Sequence, residues 1–225
     1  MKHWKPAVIA ALWSGALYAA PMPVVASFSI LGDLAQQIGG ERVAVQSLVG
    51  ANQDAHAYNL TSSDIKKIRE ARLVLLNGLG LEKAELQRAV KQSKVASAEA
   101  TAGIKPLAAD EHHHEHNHGH DHDHGEFDPH VWNDPVLMQR YAANVAIALI
   151  KADPAGSRYY QQRFKDYQNV LNQLNNYANQ QFGAVAPAKR KVLTGHDSFA
   201  YLGKRYQVKF ISPQGVSSEA EPSAR

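Results

Sequence analysis

The sequence predicts an α/β fold with a parallel sheet, and three observations carry that prediction. The chain opens with an apolar, β-branched run from Pro23 to Ile30, a helically spaced segment from Leu31 to Gly39, and a second strand-like run from Arg42 to Val49. That β-α-β order is the signature of a parallel sheet. Further short apolar runs then alternate with helical segments. Finally, one amphipathic stretch beginning at Asp153-Pro154 is long enough to span roughly 40 Å at ~1.5 Å per residue. Periodicity alone allows that helix to be a backbone between two lobes or an ordinary core helix.

Taken in order, Met1 to Ala19 reads as a secretory signal, with Lys2 and Lys5 followed by an apolar run from Ala7 to Leu17 that is too short to span a bilayer. Cleavage is expected after Ala19, because a cut one residue later would leave Pro21 just beyond it. In the first helical segment Leu31, Leu34, Ala35 and Ile38 share a face, and Gly39-Gly40 ends it. Thr61 and Asp64 have capping-box spacing and open another helix. Leu73 to Asn77 is a third buried strand, and a helix is expected over roughly residues 83–92. A fourth strand is expected over Lys94 to Ser97. Residues 98–127 are rich in Ala, His, Asp, Glu and Gly, and read as a solvated loop without a core of its own.

Asp134-Pro135 supplies an N-cap and a first-turn proline for a helix to about Lys151, striped by Leu137, Tyr141, Val145 and Leu149. The long helix that follows has Tyr160, Phe164, Tyr167, Leu171, Leu174, Ala178 and Phe182 at steps of three or four. Pro187 to Arg190 is a turn. Lys191 to Leu193 is a strand, Phe199 to Tyr206 a helix and Gln207 to Ile211 a strand. Ser217 to Pro222 looks like the start of a further helix. The residues after the long helix are few for a lobe with a sound core.

Composition narrows the function. There is no cysteine, so neither a disulfide framework nor a thiolate metal site is available, and ligands must be His, Asp, Glu or water. The net charge is +3 with a pI near 9.0. The basic residues are scattered and the chain reads as exported, so no nucleic acid partner is expected. There is no H-E-x-x-H, no G-x-S-x-G and no phosphate-binding glycine loop.

The most unusual stretch is Asp110 to Trp132. It holds His112, His113, His114, His116, His118, His120, His122 and His124, interleaved with Glu115, Asp121 and Asp123, and leads through Asp128-Pro129 to His130. Imidazole is a common metal ligand and is mostly neutral near pH 7. The stretch therefore reads as a metal-handling loop: a zinc collector, a low-affinity sensor, or a spacer. Three isolated histidines, His56, His130 and His196, lie in polar turns at strand ends or helix starts. Each alone also fits a capping or packing role. Together with one oxygen ligand they make a tetrahedral zinc set. Asp54, Asp128 and Asp197 can hold imidazole tautomers or cap turns, and capping suits Asp197 better. Trp132 and Tyr58 read as walls that exclude water.

The segments SFSILGDLAQQIGG, RVAVQSLVG, DAHAYNLTSSDI, LVLLNGLGLE, DPHVWNDP, TGHDSFAYLGKRY and SSEAEPSAR together resemble the metal-binding cluster of periplasmic solute-binding proteins that serve ABC importers, and specifically its zinc-uptake members. The resemblance covers essentially the whole chain after the signal. It implies two α/β lobes with parallel sheets joined by one long backbone helix, with metal held between the lobes. The corresponding divisions are an N-terminal lobe over 20–152 that includes the His-rich loop 110–127, a linking helix over 153–184, and a C-terminal lobe over 185–225. That lobe would be incomplete, because the family's second lobe continues past the position of Arg225. By the same resemblance His56, His130 and His196 are the metal ligands. Manganese-type members usually carry Glu where His196 stands, and the acidic His-rich loop is typical of zinc members. The function implied is a non-enzymatic, high-affinity Zn²⁺-binding component that delivers its cargo to an ABC permease in the inner membrane. A periplasmic zinc chaperone is a further partner, and the protein would be a monomer. An exported zinc hydrolase and a His-rich periplasmic zinc buffer are the alternatives.

Overall fold

The computed structural model describes residues 20–109, 126–216 and 218. The expected signal segment, the histidines from His112 to His124, and the helix start after Ser218 lie outside the described residues. Strand β1 (Met22–Phe28), helix α1 (Ser29–Gly39), β2 (Val43–Val49), α2 (Ser62–Glu70), β3 (Leu73–Leu76), α3 (Ala84–Ser93) and β4 (Ala96–Glu99) follow in turn. The four strands form one parallel sheet in the order β2-β1-β3-β4. The α/β expectation therefore holds.

Alternation within apolar strands builds two packed faces. Val24 and Ala26 of β1, with Leu73 and Leu75 of β3, face a core made with α1 and with helix α4 (Pro135–Ala152). Val25, Val74 and Leu76 face the other way, onto Ile68 of α2 and Leu86 and Val90 of α3. A strand buried on both faces needs an unbroken apolar run, which is what β1 and β3 supply. On α4, Tyr141, Val145 and Leu149 are fully buried as the stripe predicts, while Leu137 is only partly covered.

The expected caps form. Thr61 and Asp64 make a reciprocal capping box at α2. The Asp134 carboxylate accepts from the backbone N–H groups of Val136 and Leu137, and Pro135 occupies the first turn. Asp153 caps a short 3-10 turn at Pro154–Gly156, and this turn leads into α5 (Ser157–Gly183), 27 residues long. Tyr160 and Leu171 of α5 are buried, whereas Leu174 is 49% exposed, so the far half of its stripe is partly open. Beyond α5, β5 (Lys191–Leu193), α6 (Ala200–Tyr206) and β6 (Lys209–Ile211) make a second, two-stranded parallel sheet.

Strands β4 and β6 begin later than the sequence suggests, for one shared reason. Lys94 (φ 59°) and Gln207 (φ 56°) both take left-handed backbone conformations at helix C-termini. A residue in that conformation ends a helix but does not start a strand. The fourth strand therefore runs Ala96–Glu99 rather than Lys94 to Ser97, and β6 starts at Lys209 rather than Gln207. Similarly, β1 stops at Phe28, because Ser29 and Ile30 already belong to α1.

The expectation of a solvated loop across 98–127 is corrected at its start. Ala100, Thr101 and Ile104 are buried. The Thr101 hydroxyl donates to the Asn77 carbonyl at 2.5 Å, and Asn144 Nδ2 donates to the carbonyls of Ala100 and Ala102. These partners come from distant elements, which local composition cannot reveal. The two ends of the stretch meet again. Ala108 and Phe127 form an antiparallel bridge, Ala109 N–H donates to Glu126 O, and Asp128 N–H donates to Leu107 O. Among the described residues no helix is long and apolar enough to cross a membrane.

Candidate metal centre

His56 follows β2 on a turn built by its own side chains. Gln53 Oε1 accepts from Gly50 N–H at 2.7 Å, and Asp54 Oδ1 accepts from His56 N–H at 2.9 Å. Two residues on, the Tyr58 hydroxyl donates to Asp64, tying this turn to the capping box of α2. Burial pushes the Tyr58 phenol up, and the hydrogen bond to Asp64 pushes it further, so it stays protonated. Burial alone would raise the Asp64 carboxyl, yet hydrogen bonds from Thr61, Tyr58 and Lys67 outweigh it and hold the group at about 2.

His130 repeats the same local device. Asp128 Oδ1 accepts from His130 N–H at 2.9 Å, as Asp54 does for His56, and in addition meets His130 Nδ1 at 2.7 Å. A carboxylate at Nδ1 fixes the proton there and leaves the Nε2 lone pair free to ligate. The pair is deeply buried, with His130 2% and Asp128 1% exposed. Trp132 packs on the His130 ring at 5.1 Å between centroids, and Phe28 backs Trp132 at 4.8 Å.

His196 arrives from the other sheet, just past β5. Thr194 Oγ1 donates to the His196 carbonyl at 3.1 Å and Asp197 N–H donates to Gly215 O. Burial, and then the neighbouring His130, holds the His196 imidazole below its ordinary value. The N-cap of α6 is Phe199, with no side-chain hydrogen bond.

The three turns converge. One ligand-type nitrogen from each of His56, His130 and His196 lies within 4.8 Å of the others. The Nε2 atoms of His56 and His130 are 3.1 Å apart, and the three ring centroids are 5.2, 5.4 and 5.7 Å apart. Three neutral imidazoles at this spacing suit a borderline-soft divalent cation, with one coordination position left for an oxygen donor. The eight histidines of the accessory loop, His112, His113, His114, His116, His118, His120, His122 and His124, lie outside the described residues.

Several supporting residues escape a reading of the sequence. Asn77, at the carboxyl end of β3, is fully buried. Its Nδ2 donates to the carbonyls of Gly78 and Pro129, the residue between Asp128 and His130, while its Oδ1 accepts from the Tyr141 hydroxyl at 2.9 Å. Glu82 accepts from the backbone N–H groups of Asn77 and Gly78. Burial raises the Glu82 carboxyl, against the pull of those hydrogen bonds. The Tyr201 hydroxyl donates to Asp128 O at 2.7 Å and accepts from Leu107 N–H at 3.0 Å. Burial lifts the Tyr201 phenol to about 12. Asn133 Nδ2 donates to Ser198 O at 2.7 Å, and Arg205 pairs with the α4 cap Asp134. The Ser218 hydroxyl donates to Asp54. Most of these contacts join residues 52 to 164 positions apart, and no short-range pattern marks them.

Comparison with known proteins shows what the chain is similar to. The family model described as periplasmic zinc-uptake complex component A matches residues 24–225. The chain is 30% identical over 200 residues to the manganese ABC transporter substrate-binding lipoprotein PsaA of Streptococcus anginosus, covering 89% of this chain and 64% of that protein. It is 32% identical over 204 residues to the high-affinity zinc uptake system protein ZnuA of Bacillus subtilis, covering 89% of this chain and 63% of that protein. The chain therefore spans somewhat less than two thirds of the length of these relatives. The solved structure of the periplasmic zinc-binding protein TroA from Treponema pallidum superposes with a TM-score of 0.80 at 28% identity, covering 91% of this chain and 70% of that one. The names of these relatives describe substrate binding, zinc uptake and zinc binding. A model match over nearly the whole described chain, together with a fold shared with a solved relative, makes this chain a member of the periplasmic zinc-uptake component A family of metal-binding proteins.

Proposed function

We propose that the protein captures Zn²⁺ from the periplasm between two lobes and hands it to the membrane permease of an ABC importer. One observation carries the reading: three imidazoles from three separate turns converge within 4.8 Å, one of them held in its ligating tautomer by a buried carboxylate. Three nitrogen donors favour zinc over manganese, which prefers oxygen-rich sites. Relatives named for either metal make the choice of ion the sharpest part of the reading. In it, residues 20–152 form the N-terminal lobe, 153–184 the linking helix and 185–225 the C-terminal lobe, while residues 1–19 are removed on export. His56, His130 and His196 are the ligands, and the histidines between His112 and His124 collect metal for them.

The test is zinc binding to the mature protein by competition with a chelator, after deletion of residues 111–124, with manganese measured in parallel. One tight zinc site that His130→Ala abolishes supports the reading. Loss of nearly all binding with the loop would make the protein a His-rich buffer instead. Tighter manganese than zinc would overturn the choice of metal.

A further inference from the structure

His56 and His130 stand at the carboxyl edge of the four-stranded sheet, whereas His196 belongs to the two-stranded sheet beyond α5. The centre is complete only when the two units are held in one register. Among the hydrogen bonds that cross between them, two lie on either side of His130, and the metal reading above leaves both unused.

The first comes from α6. Tyr201, five residues beyond His196, is 3% exposed and packs within the core of the larger unit. Its hydroxyl donates to the carbonyl of Asp128, the residue whose carboxylate holds His130, and accepts from Leu107 N–H. The second runs the opposite way. Asn133, three residues beyond His130, donates from Nδ2 to the carbonyl of Ser198, two residues beyond His196. The two bonds therefore bracket the centre, one anchored before His130 and one after it, and both end on the segment that carries His196. Because both accept at backbone carbonyls, they fix where the chain runs and not merely which side chains touch. The Arg205–Asp134 pair lies farther along the same seam.

We propose that Tyr201 and Asn133 are positioning residues of the metal centre, holding the His196 turn in register with the His56–His130 pair. The inference rests on the three histidines being a metal site. Tetrahedral zinc at ~2.0–2.1 Å from each nitrogen sets its ligand atoms ~3.3 Å apart. The widest nitrogen separation here is no more than 4.8 Å, so a shift of about an ångström in the His196 turn decides whether the third ligand engages.

The experiment uses the full chain. Zinc affinity at the tightest site and the zinc dissociation rate are measured for wild type, Tyr201→Phe, Asn133→Ala and His130→Ala. Bound Co²⁺ supplies a spectroscopic signature of the coordination geometry. Gly40→Ala, a strained change remote from the site, controls for loss of stability alone. Tyr201→Phe and Asn133→Ala are each expected to weaken zinc about tenfold, chiefly through faster dissociation and with an altered Co²⁺ spectrum, as changes to supporting residues of metal sites do. Gly40→Ala should leave affinity within threefold of wild type. A variant that binds within threefold of wild type overturns the role of that residue, whatever its thermal stability. If Tyr201→Phe does not fold, Asn133→Ala decides by the same limits. If the wild type has no tight site, or His130→Ala leaves it intact, the metal reading falls and the positioning role falls with it.

Discussion

The Nε2 atoms of His56 and His130 face each other at 3.1 Å, a hydrogen-bond distance. With the His130 proton held at Nδ1 by Asp128, His130 Nε2 accepts and His56 Nε2–H donates. A tetrahedral zinc would set the same two atoms ~3.3 Å apart, so this half of the centre needs only a small opening and the move of one proton. Asp128→Asn weakens the hold on Nδ1 and permits the wrong tautomer. We expect zinc affinity to fall roughly 10- to 100-fold with the fold intact. Chelator competition alongside circular dichroism checks this, and an unchanged affinity would show that Asp128 does not orient the ring.

Asp64 links the His56 turn to α2 and carries a defined pH dependence. Its carboxyl lies at about 2 in the fold, against an ordinary value of 3.8. A depressed carboxyl stabilises the fold at pH values above 3.8, and the contribution disappears as pH falls through about 2. The shift corresponds to about 2 kcal/mol. Urea unfolding of wild type and Asp64→Asn should differ by about that amount at pH 7, with the gap closing toward pH 2. A gap that persists in acid would assign the effect to packing instead.

Asn77 and Tyr141 form one buried network under Pro129. Asn77→Ala leaves the Tyr141 hydroxyl and the Pro129 carbonyl without this partner, at about 2–4 kcal/mol. Tyr141→Phe alone should cost about 1–2 kcal/mol. The double variant should be less destabilised than the two single losses added together, because the shared bond can be lost only once. Additive losses in a double-mutant cycle would rule out the coupling.

Gly40 ends α1 with φ +53°, and a Cβ there would run into the Tyr159 hydroxyl and crowd Arg163. A left-handed backbone with a side chain costs about 1–2 kcal/mol before any clash. Gly40→Ala should therefore lower the thermal midpoint by several degrees without touching metal binding. A midpoint equal to wild type would mean that Tyr159 and α5 yield easily at that contact.

The three convergent histidines were legible as candidates because each sits in a turn next to a strand end or helix start. Asp54 and Asp128 were legible only as groups able to hold an imidazole or cap a turn. The alternating faces of β1 and β3 and the Asp-Pro helix starts were legible for the same local reason. Tyr201 was not, since as a sequence it is only an aromatic residue in a short helix. Its importance arises when α6 meets Leu107 and Asp128, which is a property of the fold. The ordering of residues 100–104 is not legible, because small side chains and Gly103 look like linker, while the carbonyls of Ala100 and Ala102 are held by Asn144, 44 and 42 positions away.

The antiparallel clasp at Ala108 and Phe127 also bears on how such a chain can change over time. The clasp fixes where the intervening segment leaves and returns, so a change in that segment's length or composition need not disturb Asp128 or His130. Doubling such an insert adds only ~0.6 kcal/mol of closure entropy. With its ends clasped to each other, the insert can be lengthened or shortened as a unit while the three turns beneath keep their places.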